Sequence, residues 1–306
     1  ERRNRPRRNR PRCATSRSGD APVAGSDETL SEMATPPRAD TLQRWAFDYM
    51  SSDLLAHKIA PGPTPSLVLA AEDCPPLRLA QPGRPPQLRV SPQKIKAPRG
   101  GALRDPKKRA ALLHTFWHHE LQAAELMCWA VLAFPNTPIA FKRGLIGICH
   151  DEIRHMQLYA AAIRGLGFEI GDFPVRDWFW QRVPASPSPA AFLAVMGLGF
   201  EAGNLDHTRR FAQQFRALGD EPSANLQELV AQEEVPHVAF AAHWFKRFEG
   251  ELSFSRWCHE LPAPLSPMVM RGDPIDRDAR AVAGMDEQFL DALEQWKPTL
   301  PASPGS

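Results

Sequence analysis

Two stretches of the chain repeat one arrangement of acids and histidines, and that arrangement fixes where four helices must run. Glu152 and His155 stand three residues apart in DEIRH, and Glu120 lies 32 residues before Glu152. Glu234 and His237 stand three apart in EEVPH, and Glu201 lies 33 residues before Glu234. Positions i and i+3 share one face of a helix. Each set therefore reads as a helical hairpin whose acids and histidine meet at one height. Four antiparallel helices of this kind aim four carboxylates and two imidazoles at one point. Glu120 sits between Trp117, Leu121 and Ala124, and Glu201 follows the apolar run AFLAVMGLGF. Carboxylates on a core-facing stripe are costly to bury unless they are paired or bind cations. Bundle cores with this ligand set hold two metal ions. Oxygen and imidazole donors without thiolate suit iron or manganese better than structural zinc.

The rest of the sequence organises around those hairpins. Residues 1–12 carry seven Arg and one Glu, while the chain as a whole has a formal charge of +2, so the remainder is mildly acidic. No basic stripe for nucleic acid runs through that remainder. Residues 1–40 are rich in Arg, Pro, Ser and Ala and are expected to be disordered. Met33 is the expected native start. Residues 41–105 read as a short helical segment followed by a Pro-rich strap. The bundle is expected over residues 106–250, opening on Asp105-Pro106 as N-cap and first helical residue. Its helices should run from about 107 to 134, 138 to 166, 189 to 218 and 221 to 248. A long aromatic crossover joins the second to the third, giving two hairpins linked by one long connection, the ferritin-like topology. Residues 251–306 form a C-terminal strap closing on a short helix from Asp286 to Trp296. The fold class is all-α.

Five scattered cysteines form no CxxC pair, which argues against a disulfide framework or a zinc knuckle. The longest apolar run, Ala190 to Phe200, is too short to span a bilayer. A cytoplasmic protein without a signal peptide is expected.

The metal ligands expected are Glu120, Glu152, His155, Glu201, Glu234 and His237. Glu152 and Glu234 share their helices with the histidines and are assigned as bridges, with Glu120 and Glu201 as the outer carboxylates. Glu125 is the rival of Glu120, but it lies only 27 residues before Glu152. Ligand histidines donate their second N–H to an acid or a carbonyl. Asp151, Glu233 and Asp206 are the candidates for that role, and His118 and His119 flank Glu120. Pro236, between two ligands, implies a local opening of the fourth helix that could admit a substrate. Trp178, Phe179 and Trp180 are candidates for a pocket mouth.

DEIRH resembles the (D/E)-E-x-R-H signature of bacterial di-iron monooxygenases and their ferritin-like relatives, and EEVPH keeps that pattern with Pro236 in place of Arg. More broadly, KAPRGGAL, HTFWHHELQAAELMCWAVLAFP, GDFPVRDWFW and FEAGNLD together with the two ligand runs resemble a bacterial ferritin-like family labelled a domain of unknown function. That resemblance spans roughly residues 42–285. It implies the ferritin-like bundle and a di-metal centre, and it implies no substrate. The expected activity is a di-iron oxidoreductase that uses dioxygen to hydroxylate or oxidise an unknown substrate, such as a small molecule, with a reductase as possible electron donor and without nucleic acid or membrane. The chain could also pair as a homodimer. The alternatives are a manganese catalase-like peroxide scavenger and a non-catalytic iron-binding protein.

Overall fold

Helix signals in the sequence decide where each element starts. In the computed structural model, which describes residues 35–93, 98 and 100–298, α1 (Leu42–Ser51) opens on Thr41, whose hydroxyl accepts from the Arg44 N–H. A single further turn, α2 (Leu55–Ile59), follows. The Pro-rich strap then runs without regular structure apart from short 3₁₀ turns, one of them at Ala71–Asp73. Asp105 caps α3 (Pro106–Ala133) by accepting from the Lys107 N–H, with Pro106 in the first turn. After a tight turn, α4 (Ile139–Gly165) returns beside α3.

The crossover, residues 166–188, leads to α5 (Pro189–Val195), a π-helical turn at Met196–Glu201, and α6 (Ala202–Arg216). The last long helix, α7 (Glu221–Glu249), ends at Gly250, whose φ of 85° is the left-handed conformation that glycine adopts without strain. Three shorter helices follow: α8 (Phe254–Glu260), α9 (Arg277–Val282) and α10 (Glu287–Gln295). The described residues are thus an all-helical bundle, in which α3 packs on α4, α6 on α7, and α7 also on α4 and α5. None of their helices is long and apolar enough to cross a membrane. The basic segment expected to be disordered lies, up to residue 34, outside the described residues, as does most of KIKAPR.

α3 is apolar nearly all round, which requires cover on every side. The α4 face supplies part of it, and α1 supplies another part by burying Trp45, Tyr49 and Met50. The strap and the crossover lie side by side, joined where Ser91 N–H donates to the Val175 carbonyl and Val175 N–H to that of Arg89. The C-terminal segment is tied down by Arg280, which is fully buried. Its guanidinium donates to both oxygens of Asp206 at 2.6 and 2.9 Å, and to the carbonyls of Ala202 and Met270.

The wide turn expected beside Pro236 sits instead in the third helical segment, at Met196–Glu201. Pro236 lies within continuous α7 on an exposed face, so the backbone carbonyl that loses its N–H partner there faces water. The sequence reason for the real site of the wide turn is its glycines. A Cβ on Gly197 would stand 2.3 Å from the Cβ of Ala241, and one on Gly203 would stand 2.7 Å from the Val269 carbonyl oxygen. Close packing against α7 and the C-terminal segment is possible only without those side chains. Gly197→Ala should therefore cost about 1–3 kcal/mol by overpacking. A urea denaturation curve shifted to a lower midpoint at unchanged slope is the expected reading.

Candidate metal centre

Each hairpin brings its acids to the bundle axis. Oxygens of Glu120, Glu152 and Glu234 and a nitrogen of His155 lie within 4.8 Å of one another. So do the corresponding atoms of Glu152, Glu201, Glu234 and His237. All six residues are buried. Glu152 and Glu234 belong to both groups, while Glu120 and Glu201 belong to one each. Either group could hold a metal ion.

The histidines are oriented alike. Nδ1 of His155 faces Glu152 Oε2 at 3.3 Å and Glu234 Oε1 at 4.0 Å. Nδ1 of His237 faces Glu234 Oε2 at 3.0 Å and Glu152 Oε1 at 3.1 Å. Their Nε2 atoms point outward to acids on the opposite hairpin. His155 Nε2 lies 2.9 Å from Glu233 on α7, and His237 Nε2 lies 3.2 Å from Asp151 on α4. Each acid that precedes a shared Glu thus orients the histidine of the other helix, leaving both Nδ1 atoms for the centre. Arg154 in turn pairs with Glu233.

The electrostatics are those of a crowded buried acid cluster that could hold cations. Burial, and then the neighbouring Glu152 and Glu234, push the Glu120 carboxyl well above its ordinary value. Burial and the same two acids do so to Glu201. At Glu152 burial works against ionisation, but hydrogen bonds with His155 and His237 outweigh it and hold the carboxyl well below the usual range. Burial would lower His155, yet Glu152 carries its pKa up to about 9. Burial would lower His237 too, but Asp151, Glu152 and Glu234 raise it. Protons thus balance the charge of this core, and divalent ions would displace them. Glu201 Oε1 is buried with no hydrogen-bond partner among the described residues, a donor atom that a cation would satisfy.

Several neighbours give no signal in sequence. Asn204, one turn beyond Glu201, donates to Glu234 Oε1 at 3.2 Å. Tyr159, one turn beyond His155, is buried and accepts from Gln227 at 2.8 Å. A cavity of about 310 Å³ reaches Glu120 and Glu201 from the crossover side. Trp178 and Phe179 of the crossover, Phe200 of the wide turn, and Met268 and Val269 of the C-terminal segment form its walls. Trp180, the third aromatic expected at a pocket mouth, turns away and donates to Glu125 Oε2 at 2.9 Å. Pro236 does not line this cavity.

One sequence expectation for a single residue changes, and the rival of Glu120 finds another place. Asp206 faces neither His155 nor His237. It pairs with Arg280 and accepts from the backbone N–H groups of Gly272 and Asp276. Its one-turn spacing from Glu201 gives proximity in sequence, but the side chain serves the C-terminal segment. Glu125 lies outside both groups and is neutralised by Lys58 at 2.8 Å and by Arg84. His118 donates from Nε2 to Asp177 at 3.0 Å rather than to a ligand. His119 stacks on Phe179 at the cavity, and burial drives its pKa down to about 3.

The Arg84–Asp177–His118 cluster has a pH signature. Burial alone would raise Asp177, but His118 and Arg84 hold its carboxyl down to about 2. A carboxylate depressed in the folded state stabilises the fold above its unfolded value, about 3.9. That contribution fades as pH falls toward 2. The stability difference between wild type and Asp177→Asn should therefore be full at pH 5 and shrink steadily by pH 3 in urea titrations. A difference constant with pH would contradict this assignment.

Residues 41–291 match the family described as "Protein of unknown function (DUF455)". A Haemophilus influenzae protein described as uncharacterized is 24% identical over 201 residues, covering 62% of this chain and 69% of its own length. No solved structure matches the chain.

Proposed function

This chain belongs to the DUF455 family, and we propose that it is a ferritin-like di-metal oxidoreductase in which two iron ions activate dioxygen to oxidise a small molecule. The observation that carries this reading is the pair of buried acid–histidine groups sharing Glu152 and Glu234. Glu120, Glu152, His155, Glu201, Glu234 and His237 would hold the metals. Bound iron would supply the electrons and the open positions that dioxygen needs.

The chain's own residues do the rest. Glu233 and Asp151 fix both imidazoles with Nδ1 inward. Asn204 holds Glu234 from the side of the cavity. Trp178, Phe179 and Phe200 give an apolar lining to the cavity that reaches Glu120 and Glu201. The cavity supports an organic substrate rather than peroxide alone, because about 310 Å³ is in the range of small-molecule pockets. Residues 106–250 form the catalytic bundle in this reading, with 41–105 and 251–306 as straps around it.

Oxygen uptake tests the proposal. Protein loaded with ferrous iron under argon should consume dioxygen on mixing, and a reductase or chemical reductant should renew that uptake. Rapid peroxide breakdown by manganese-loaded protein, with no dioxygen uptake by the iron form, would favour a catalase-like protein instead.

A further inference from the structure

Resting on that reading, we infer that the cavity beside Glu120 and Glu201 selects an uncharged, planar aromatic molecule of about two rings bearing a hydroxyl or similar polar group. Three observations carry this, namely charge, wall shape and size.

Among the described residues that line the cavity there is no lysine or arginine. Its acids, Glu120 and Glu201, point to the buried centre, where four carboxylates and two divalent ions would sum to zero. Among those described residues the only basic groups are the imidazoles of His119 and His207, so a carboxylate or phosphate meets no permanently charged side chain there, and an ion brought into such a space loses hydration at a cost. Fatty acids, nucleotides and phosphorylated metabolites are therefore disfavoured relative to an uncharged guest.

The wall is aromatic, and its rings stack face to face on one another. The rings of His119 and Phe179 stack at 5.0 Å and 26°, and those of Phe179 and Phe200 at 4.5 Å and 15°. Trp178 closes on Phe200 at 4.8 Å. A planar guest that packs against the edges or the outer face of this stack gains more than a flexible chain, because ring–ring packing adds to area burial and less chain entropy is lost. His119 makes no hydrogen bond to another described residue and presents its imidazole to the same space, a partner for one polar group on the guest. Size sets the ring count. An apolar cavity of roughly 150 Å³ accepts one benzene, so about 310 Å³ takes two fused rings.

Calorimetric titration of the full chain, metal-loaded and metal-stripped, with 2-naphthol, 2-naphthoate and decanoate tests the inference. One equivalent of 2-naphthol should bind per chain, with 2-naphthoate and decanoate at least about tenfold weaker. Ala123→Phe, which fills the cavity floor, should abolish naphthol binding while leaving metal content unchanged, and Val269→Trp on the opposite wall is the second variant should the first fail to fold. His119→Phe should weaken naphthol but not naphthalene. Equal or tighter binding of either anion, no naphthol binding, or naphthol binding that survives the cavity-filling variant would overturn the inference. Naphthol binding by a chain that takes up no metal would leave this inference standing and overturn the di-metal reading; metal uptake without naphthol binding would do the reverse.

Discussion

Glu152→Ala is expected to empty both metal positions, whereas Glu120→Ala should empty one. Oxygens of Glu152 and Glu234 belong to both acid–histidine groups, while Glu120 and Glu201 belong to one each. Removing a shared carboxylate takes a donor from each ion and also the negative charge that keeps two cations close together. Elemental analysis should read two ions per chain in wild type, none in Glu152→Ala or Glu234→Ala, and one in Glu120→Ala or Glu201→Ala. Conservative changes to the orienting acids should act more mildly. Asp151→Asn and Glu233→Gln leave the ligands in place and should weaken metal affinity roughly 10–100-fold without changing the stoichiometry. Equal losses in all four Glu variants would show that the carboxylates are not divided into shared and outer ones.

Glu125→Ala should be the most destabilising single change, and it should leave the metal content intact. Lys58 is fully buried, and its ammonium holds Glu125 at 2.8 Å while donating to the carbonyls of Tyr49 and Met50. Arg84 and the Trp180 indole complete the set around the same carboxylate. Burial works against a charged Glu125, but Arg84 and Lys58 outweigh it and keep the carboxyl below its ordinary value. Taking the acid away strands a buried ammonium and one nitrogen of the Arg84 guanidinium, whose other two nitrogens stay on Asp177, at a cost of about 3–5 kcal/mol. Denaturant unfolding measures the loss. Metal analysis at a temperature where the variant stays folded measures the rest, and loss of metal there would make Glu125 a ligand after all.

Much of the bundle was legible because its signals are local. Asp105-Pro106 marks the start of α3, Gly250 the end of α7, and the repeated Glu-x-x-His spacing sets the height at which the helices face one another. The six ligand candidates come from the same spacing. What stayed hidden depends on contacts far apart in sequence. Gly197, Gly199 and Gly203 let α7 and the C-terminal segment approach at and just after the π-helical turn, and those neighbours are not written in the run MGLGFEAG. Pro236 gave a strong local signal for an opening, yet on an exposed face it needs none. Asp206 was placed by helical spacing, but Arg280, 74 residues on, claims it. The cavity is built from five separate segments, so no single stretch predicts its shape.

Anomalous diffraction from crystals of the iron-loaded protein would test the central claim most directly. The account predicts two iron peaks inside the bundle, both touched by Glu152 and Glu234, one also by Glu120 and His155, the other also by Glu201 and His237. A single peak, or iron bound only at surface acids, would contradict it.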